Sequence, residues 1–215
     1  MAPRCQRGIS QENGVTNKEF LEDRRQALKE SIAYFSASNK PERERWVANE
    51  FLSNFNINFS EDIITSSSDP PDVVFRECLF EIKEILESGR KRHDEYKSKY
   101  QKSLHAKHPR DLLEEYSPKY LTPAKIGDLV LENLAKYERH YSHNTRENLD
   151  LLFYVNFTDH LHKPGPIPDS GLFESSGWRS VSAIAGWTSL VLFARETAPE
   201  FLRQRVGTVY YRNFE

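Results

Sequence analysis

Pro70-Pro71-Asp72-Val73-Val74-Phe75-Arg76-Glu77-Cys78-Leu79-Phe80-Glu81-Ile82-Lys83 carries two apolar runs around a short polar break. Read as an antiparallel hairpin with Glu77-Cys78 at the turn, it pairs Arg76 with Leu79, Val74 with Glu81 and Asp72 with Lys83. Opposed residues share a face, and so do residues two apart on one strand. One face is then Val73, Phe75, Phe80 and Ile82, and the other gathers Asp72, Glu81 and Lys83. A slip of one residue would mix the two sets, so the pattern itself supports the parity.

Two carboxylates and a lysine on one patch repel or pair, and a divalent cation relieves the repulsion. Mg²⁺ takes oxygen ligands, often one or two carboxylates completed by water and substrate phosphate. A lysine beside such a metal can hold or deprotonate the attacking water. The same alternation also fits an ordinary half-buried hairpin with a solvated charged face.

Upstream, Pro41 suits the first turn of a helix running to about Asn56. At about 100° per residue, Val47, Ala48, Phe51, Leu52 and Phe55 form one apolar stripe. Glu44 falls near the centre of that stripe, one turn before its first apolar member. From there an acid can reach over the sheet towards Asp72 and Glu81, although a first-turn glutamate also serves the helix dipole.

Further elements alternate between helix and strand. Thr16-Asn17-Lys18-Glu19 fits a capping box ahead of a helix carrying Leu21, Leu28, Ile32 and Phe35. Helices are expected at about 90–104 and 123–141, buried strands at 151–155 and 189–193, a short helix at 199–206 and a last strand at 208–211. His162 to Ser176 reads as a loop. The class is α/β with a mixed sheet, as one domain over 16–215 after a disordered tail at 1–15.

The chain has 215 residues, 38% hydrophobic and 29% charged, with 30 Lys+Arg against 32 Asp+Glu and a net charge of −2. Any basic surface is therefore local. From Gly89 to Arg110 eight Lys or Arg face two acids, with His93, His105, His108, Tyr96 and Tyr100 interleaved. Arg90, Lys91, Arg92 and Lys97 are the candidates for phosphate contacts. The alternative is a solvated helix with Arg90–Asp94 and Lys91–Glu95 pairs. Cys5 and Cys78 form no disulfide framework. With no signal-like segment and no apolar run of about 18–20 residues, the expectation is a cytoplasmic protein with reduced thiols and no membrane partner. His105/His108, His140/His143 and His160/His162 lack the second half of a zinc site and read as loop or surface histidines.

A helix with an inward acid, then Pro71-Asp72, then Glu81-Ile82-Lys83 on a hairpin resembles the PD-(D/E)XK, or restriction-endonuclease-like, superfamily. The resemblance implies an α/β/α sandwich with a central mixed β-sheet and hydrolysis of phosphodiester bonds with Mg²⁺ or Mn²⁺. Asp72 and Glu81 would be metal ligands, helped by the Ile82 carbonyl, with Lys83 positioning or activating water and Glu44 an accessory acid. Glu42 to Val47, Pro70 to Val73, Phe80-Glu81, Gly89-Arg90, Asp94-Glu95, Gly177 to Ser180 and Ala198 to Arg203 look like a small family of bacterial candidate endonucleases. That similarity spans roughly Lys40 to Tyr211. It implies a nucleic-acid partner, DNA before RNA, and leaves a homodimer open. The rival is a degenerate relative that binds nucleic acid or a protein without cutting.

Overall fold

The computed structural model describes residues 15–57, 59–60, 64–67 and 70–212. Most of the expected tail and Cys5 lie outside these residues. The described chain divides into two compact units. The larger draws on Pro41–Glu87 and Ser117–Glu215, the smaller on Met1–Lys40 and Ser88–Tyr116.

Among the described residues the larger unit is built on nine strands, the innermost of them buried on both faces. In chain order they are β1 (Thr65–Ser66), β2 (Val73–Phe75), β3 (Cys78–Leu86), β4 (Lys119–Leu121), β5 (Asp150–Asn156), β6 (His160–His162), β7 (Ser180–Ala185), β8 (Thr188–Ala194) and β9 (Val209–Tyr211). Seven form one sheet in the order β1-β2-β3-β5-β7-β8-β9, and β4 pairs with β6 in a separate two-stranded ladder. The β3-β5-β7 centre is parallel, while β1, β2, β8 and β9 join antiparallel. The architecture is thus mixed α/β with a central mixed sheet. A strand covered on both faces reads as a continuous hydrophobic run, which is why Leu151-Leu152-Phe153-Tyr154-Val155 was recognisable as β5.

Helix α2 (Lys40–Ser53) covers one face, where Val47, Ala48, Phe51 and Leu52 pack with Val73, Phe75, Phe80, Ile82, Leu152, Ile184 and Val191. Helix α4 (Pro123–Glu138) belongs to the other, where Ile126, Val130 and Leu134 cluster with Ile85, Leu151, Phe153, Val155, Val181 and Ala183. Its start is set by Thr122, whose side chain accepts from Lys125 N, followed by Pro123 in the first turn. Successive residues of β5 and β7 alternate between the two clusters, as strand geometry requires. Short helices α5 (His143–Arg146), α6 (Gly171–Glu174) and α7 (Glu200–Arg203) complete the unit. The helix expected at 199–206 is therefore a single turn.

The smaller unit pairs α1 (Asn17–Tyr34) with α3 (Arg92–His105). The capping box is present, with Thr16 Oγ1 accepting from Glu19 N and Glu19 Oε2 accepting from Thr16 N at 2.8 Å. Arg25 Nε donates to Ser103 O at 3.0 Å, and Phe35 stacks on Tyr96 with ring centroids 5.0 Å apart. No helix among the described residues is long and apolar enough to cross a membrane.

Candidate functional site

The β2–β3 hairpin closes one residue earlier than the sequence suggested. Val73 pairs with Phe80, Val74 with Leu79 and Phe75 with Cys78, so Arg76-Glu77 is the two-residue loop. Arg76 has φ of 51°, the primed-turn conformation whose twist matches the flanking strands. Cys78 is the first residue of β3. Every pairing moves by two positions, an even number, so both faces keep their residues. Val73, Phe75, Phe80 and Ile82 are buried under α2. Asp72 comes to lie across from Glu81 and donates nothing to the apolar side.

On the α4 side β3 presents Leu79, Glu81, Lys83 and Ile85, which places two charged residues in an otherwise apolar layer. Glu81 is 0% exposed and Asp72 4%. Carboxylates are rarely buried to this extent unless paired. Asp72 Oδ2 accepts from Ile82 N at 2.8 Å, and the Lys83 ammonium lies 4.0 Å from the same oxygen. Lys83 Nζ also donates to Glu81 Oε1. Tyr141 OH donates to that same Oε1 at 2.5 Å. Glu81 Oε2 is buried and has no hydrogen-bond partner among the described residues.

The aromatic rings of Tyr137 and Tyr141 flank the lysine, whose Nζ is 5.7 and 5.5 Å from their centroids. Tyr137 is at the end of α4 and packs near Phe153, while Tyr141 sits edge-on to Trp178 at 5.2 Å. Trp178 is 0% exposed and backs the Tyr141 ring. Burial raises the Glu81 carboxyl above its usual range against the pull of Lys83 and Tyr141. Burial disfavours the Lys83 ammonium, but Glu81, Tyr141 and Asp72 outweigh it and hold the amine well above its ordinary value. The Tyr141 phenol is pushed up to about 12 by burial and by its bond to Glu81, so near neutrality it remains an O–H donor.

Glu44 lies at the start of α2, ahead of its apolar stripe. That stripe packs on the apolar side of the hairpin, whereas Asp72, Glu81 and Lys83 share the other side. Among the described residues no three His, Cys, Asp or Glu side chains gather closely enough to hold a metal ion. An apolar stripe docks on an apolar face, and it carries its first-turn acid with it. Glu44 is nonetheless buried, at 8% exposure.

The basic segment is also partly consumed. Arg90 Nε pairs with Glu95 at 2.7 Å, a partner five residues on in place of Asp94. Arg92 lies 4.0 Å over the Phe35 ring. Lys99 pairs with both Glu95 and Glu114. Lys91 and Lys97 are exposed. Among the histidines, His105, His108, His140 and His143 are exposed, and His160 and His162 lie half-buried on β6.

Sequence reasoning missed Tyr137 and Tyr141, whose only signal is their four-residue spacing across the end of α4, Tyr137 within the helix and Tyr141 beyond it. It also missed Asp150, which is 1% exposed and accepts from Arg179 Nε at 3.1 Å, Ser180 Oγ at 2.8 Å and Leu79 N at 2.9 Å. This ion pair ties the starts of β3, β5 and β7 together.

Two comparisons bear on this arrangement. The chain is similar, with a TM-score of 0.61 and 25% identity over 91% of its length and 95% of the other's, to a solved protein of unknown function from Pseudomonas aeruginosa strain PAO1, described as of the monooxygenase superfamily. No curated protein matches. Residues 16–214 match a family described as "Putative endonuclease, protein of unknown function (DUF1780)". A match over nearly the whole chain makes it a member: the protein belongs to the DUF1780 family.

Proposed function

We propose that the protein is a metal-dependent phosphodiester hydrolase of the PD-(D/E)XK type, acting on nucleic acid and on DNA in the first instance. The observation that carries this reading is the buried patch of Asp72, Glu81 and Lys83, in which one Glu81 oxygen has no hydrogen-bond partner among the described residues. A buried acceptor without a donor is costly and calls for an explanation such as an ion. The donor set fits Mg²⁺ or Mn²⁺, since hard oxygens from one or two carboxylates are what such ions take. Asp72 and Glu81 would hold the ion, with the Ile82 carbonyl beside them. When bound, it supplies a polarised phosphoryl oxygen and a more acidic water.

The chain's own residues do the rest. The Lys83 ammonium, confined between two tyrosine rings, donates to an attacking water or to a phosphate oxygen. The tyrosines and Trp178 keep the floor of the patch dry, which strengthens each charge interaction. Glu44 is left out of the catalytic group. The family description favours this reading, and the monooxygenase description concerns the Pseudomonas protein alone.

Millimolar Mg²⁺, Mn²⁺ or Ca²⁺ is expected to raise the melting temperature by mass action. Asp72→Asn with Glu81→Gln should abolish the shift. A wild-type protein whose melting ignores all three ions would favour the non-cutting relative.

Phosphate contact is proposed for the exposed Lys91 and Lys97, with Arg90 and Arg92 engaged inside their own unit. Replacing Lys91 and Lys97 by alanine should make the plot of log affinity against log salt for a short duplex shallower, by about 0.9 per lost contact. An unchanged slope would put the binding surface elsewhere.

A further inference from the structure

We infer that Tyr141 is the positioning residue of Glu81: its hydroxyl holds Oε1 so that Oε2 is the oxygen presented to a divalent cation. The inference rests on the hydrolase reading of the site and adds a residue that the acid-acid-lysine pattern does not contain. Two donors, Tyr141 OH at 2.5 Å and the Lys83 ammonium, converge on Oε1, while Oε2 is buried with no partner among the described residues. A carboxylate free to turn would share two donors between its two oxygens. Here the donors come from one side, and the carboxylate is held with its second oxygen facing away from both.

Tyr141 can impose that orientation because it is itself immobilised. Its ring lies edge-on against Trp178 at an interplanar angle of 62°, and Trp178 is fully buried. The next residue, Ser142, caps α5 by accepting from Thr145 N at 3.1 Å. The link between α4 and α5 is therefore fixed on both sides of the phenol. The same ring is 5.5 Å from the Lys83 ammonium, so Tyr141 confines the lysine as well as the glutamate. Groups that orient a metal ligand through its other atom typically change metal affinity by about 10–100-fold when removed.

The test is Mn²⁺ binding by titration calorimetry for wild type, Tyr141→Phe and the Asp72→Asn/Glu81→Gln double variant, with metal-free melting curves for each. Phenylalanine keeps the ring on Trp178 and removes only the hydroxyl. Tyr141→Phe is expected to bind Mn²⁺ about 10-fold more weakly, with a fall in metal-free melting no larger than one lost hydrogen bond explains. Wild-type affinity in Tyr141→Phe, with no binding by the double variant, overturns the positioning role and leaves the hydrolase reading standing. A weakened affinity accompanied by a large fall in metal-free melting would make Tyr141 a packing residue and overturns the role too. No binding by the wild type removes both.

Discussion

Lys83→Ala is expected to cut phosphodiester cleavage by at least about 100-fold, the lower range for losing a group that handles a proton or stabilises charge in the transition state. The same change should destabilise the metal-free protein. It leaves Asp72 and Glu81 buried at 4% and 0% exposure without their shared counter-charge. Removing one partner of a buried ion pair costs about 3–5 kcal/mol. The lower end applies here, because the Lys83 side chain keeps 17% of its exposure and Tyr141 still donates to Glu81. Millimolar Mg²⁺ should then recover more melting temperature in the variant than in the wild type, since the ion replaces the missing positive charge. Cleavage and metal-free melting both equal to wild type would remove Lys83 from the account.

A loss of comparable size is expected away from the site. Asp150→Ala strips the acceptor from Arg179, Ser180 Oγ and Leu79 N at once. Arg179 then retains only the Glu77 carbonyl among the contacts described for its guanidinium. A half-buried guanidinium stripped of its carboxylate puts the cost near the lower end of the range for a broken buried pair, about 3 kcal/mol, a fall in melting temperature on the order of 10 °C for a chain of this size. Thermal unfolding of the purified variant checks it. A fall no larger than that of an exposed-residue control would show that the β3-β5-β7 strand starts do not depend on this pair.

The hairpin was legible because its two faces differ in kind. Val73, Phe75, Phe80 and Ile82 could only go inward together, and that grouping survives a two-residue error in register. The turn itself was not legible, since a non-glycine residue at positive φ such as Arg76 carries little local signature. Glu44 shows the complementary failure. Its stripe was read correctly as core-facing, but a one-dimensional pattern does not say which side of the sheet the helix covers. The apolar face of the hairpin needed α2, and the stripe of α2 answers that need whatever its first-turn acid does.

Small residues hid β7. Ser180-Val181-Ser182-Ala183-Ile184-Ala185 lacks the run of large apolar side chains of β5, yet all six residues are buried. Tyr137 and Tyr141 were hidden for a different reason. Two aromatic residues four apart across a helix end look like ordinary core, and only the position of Glu81 and Lys83 gives them a role. Arg90 and Arg92 read as candidates for phosphate contact because Glu95 and Phe35 are not their obvious partners in sequence.

The most direct measurement is nicking of supercoiled plasmid, alongside single-stranded DNA and RNA, by the wild type and by Asp72→Asn/Glu81→Gln purified in parallel. The account predicts cleavage of at least one substrate by the wild type with Mg²⁺ or Mn²⁺, none after chelation, and none by the double variant. Equal cleavage by both proteins, or none by a wild type that demonstrably binds the ion, would contradict it.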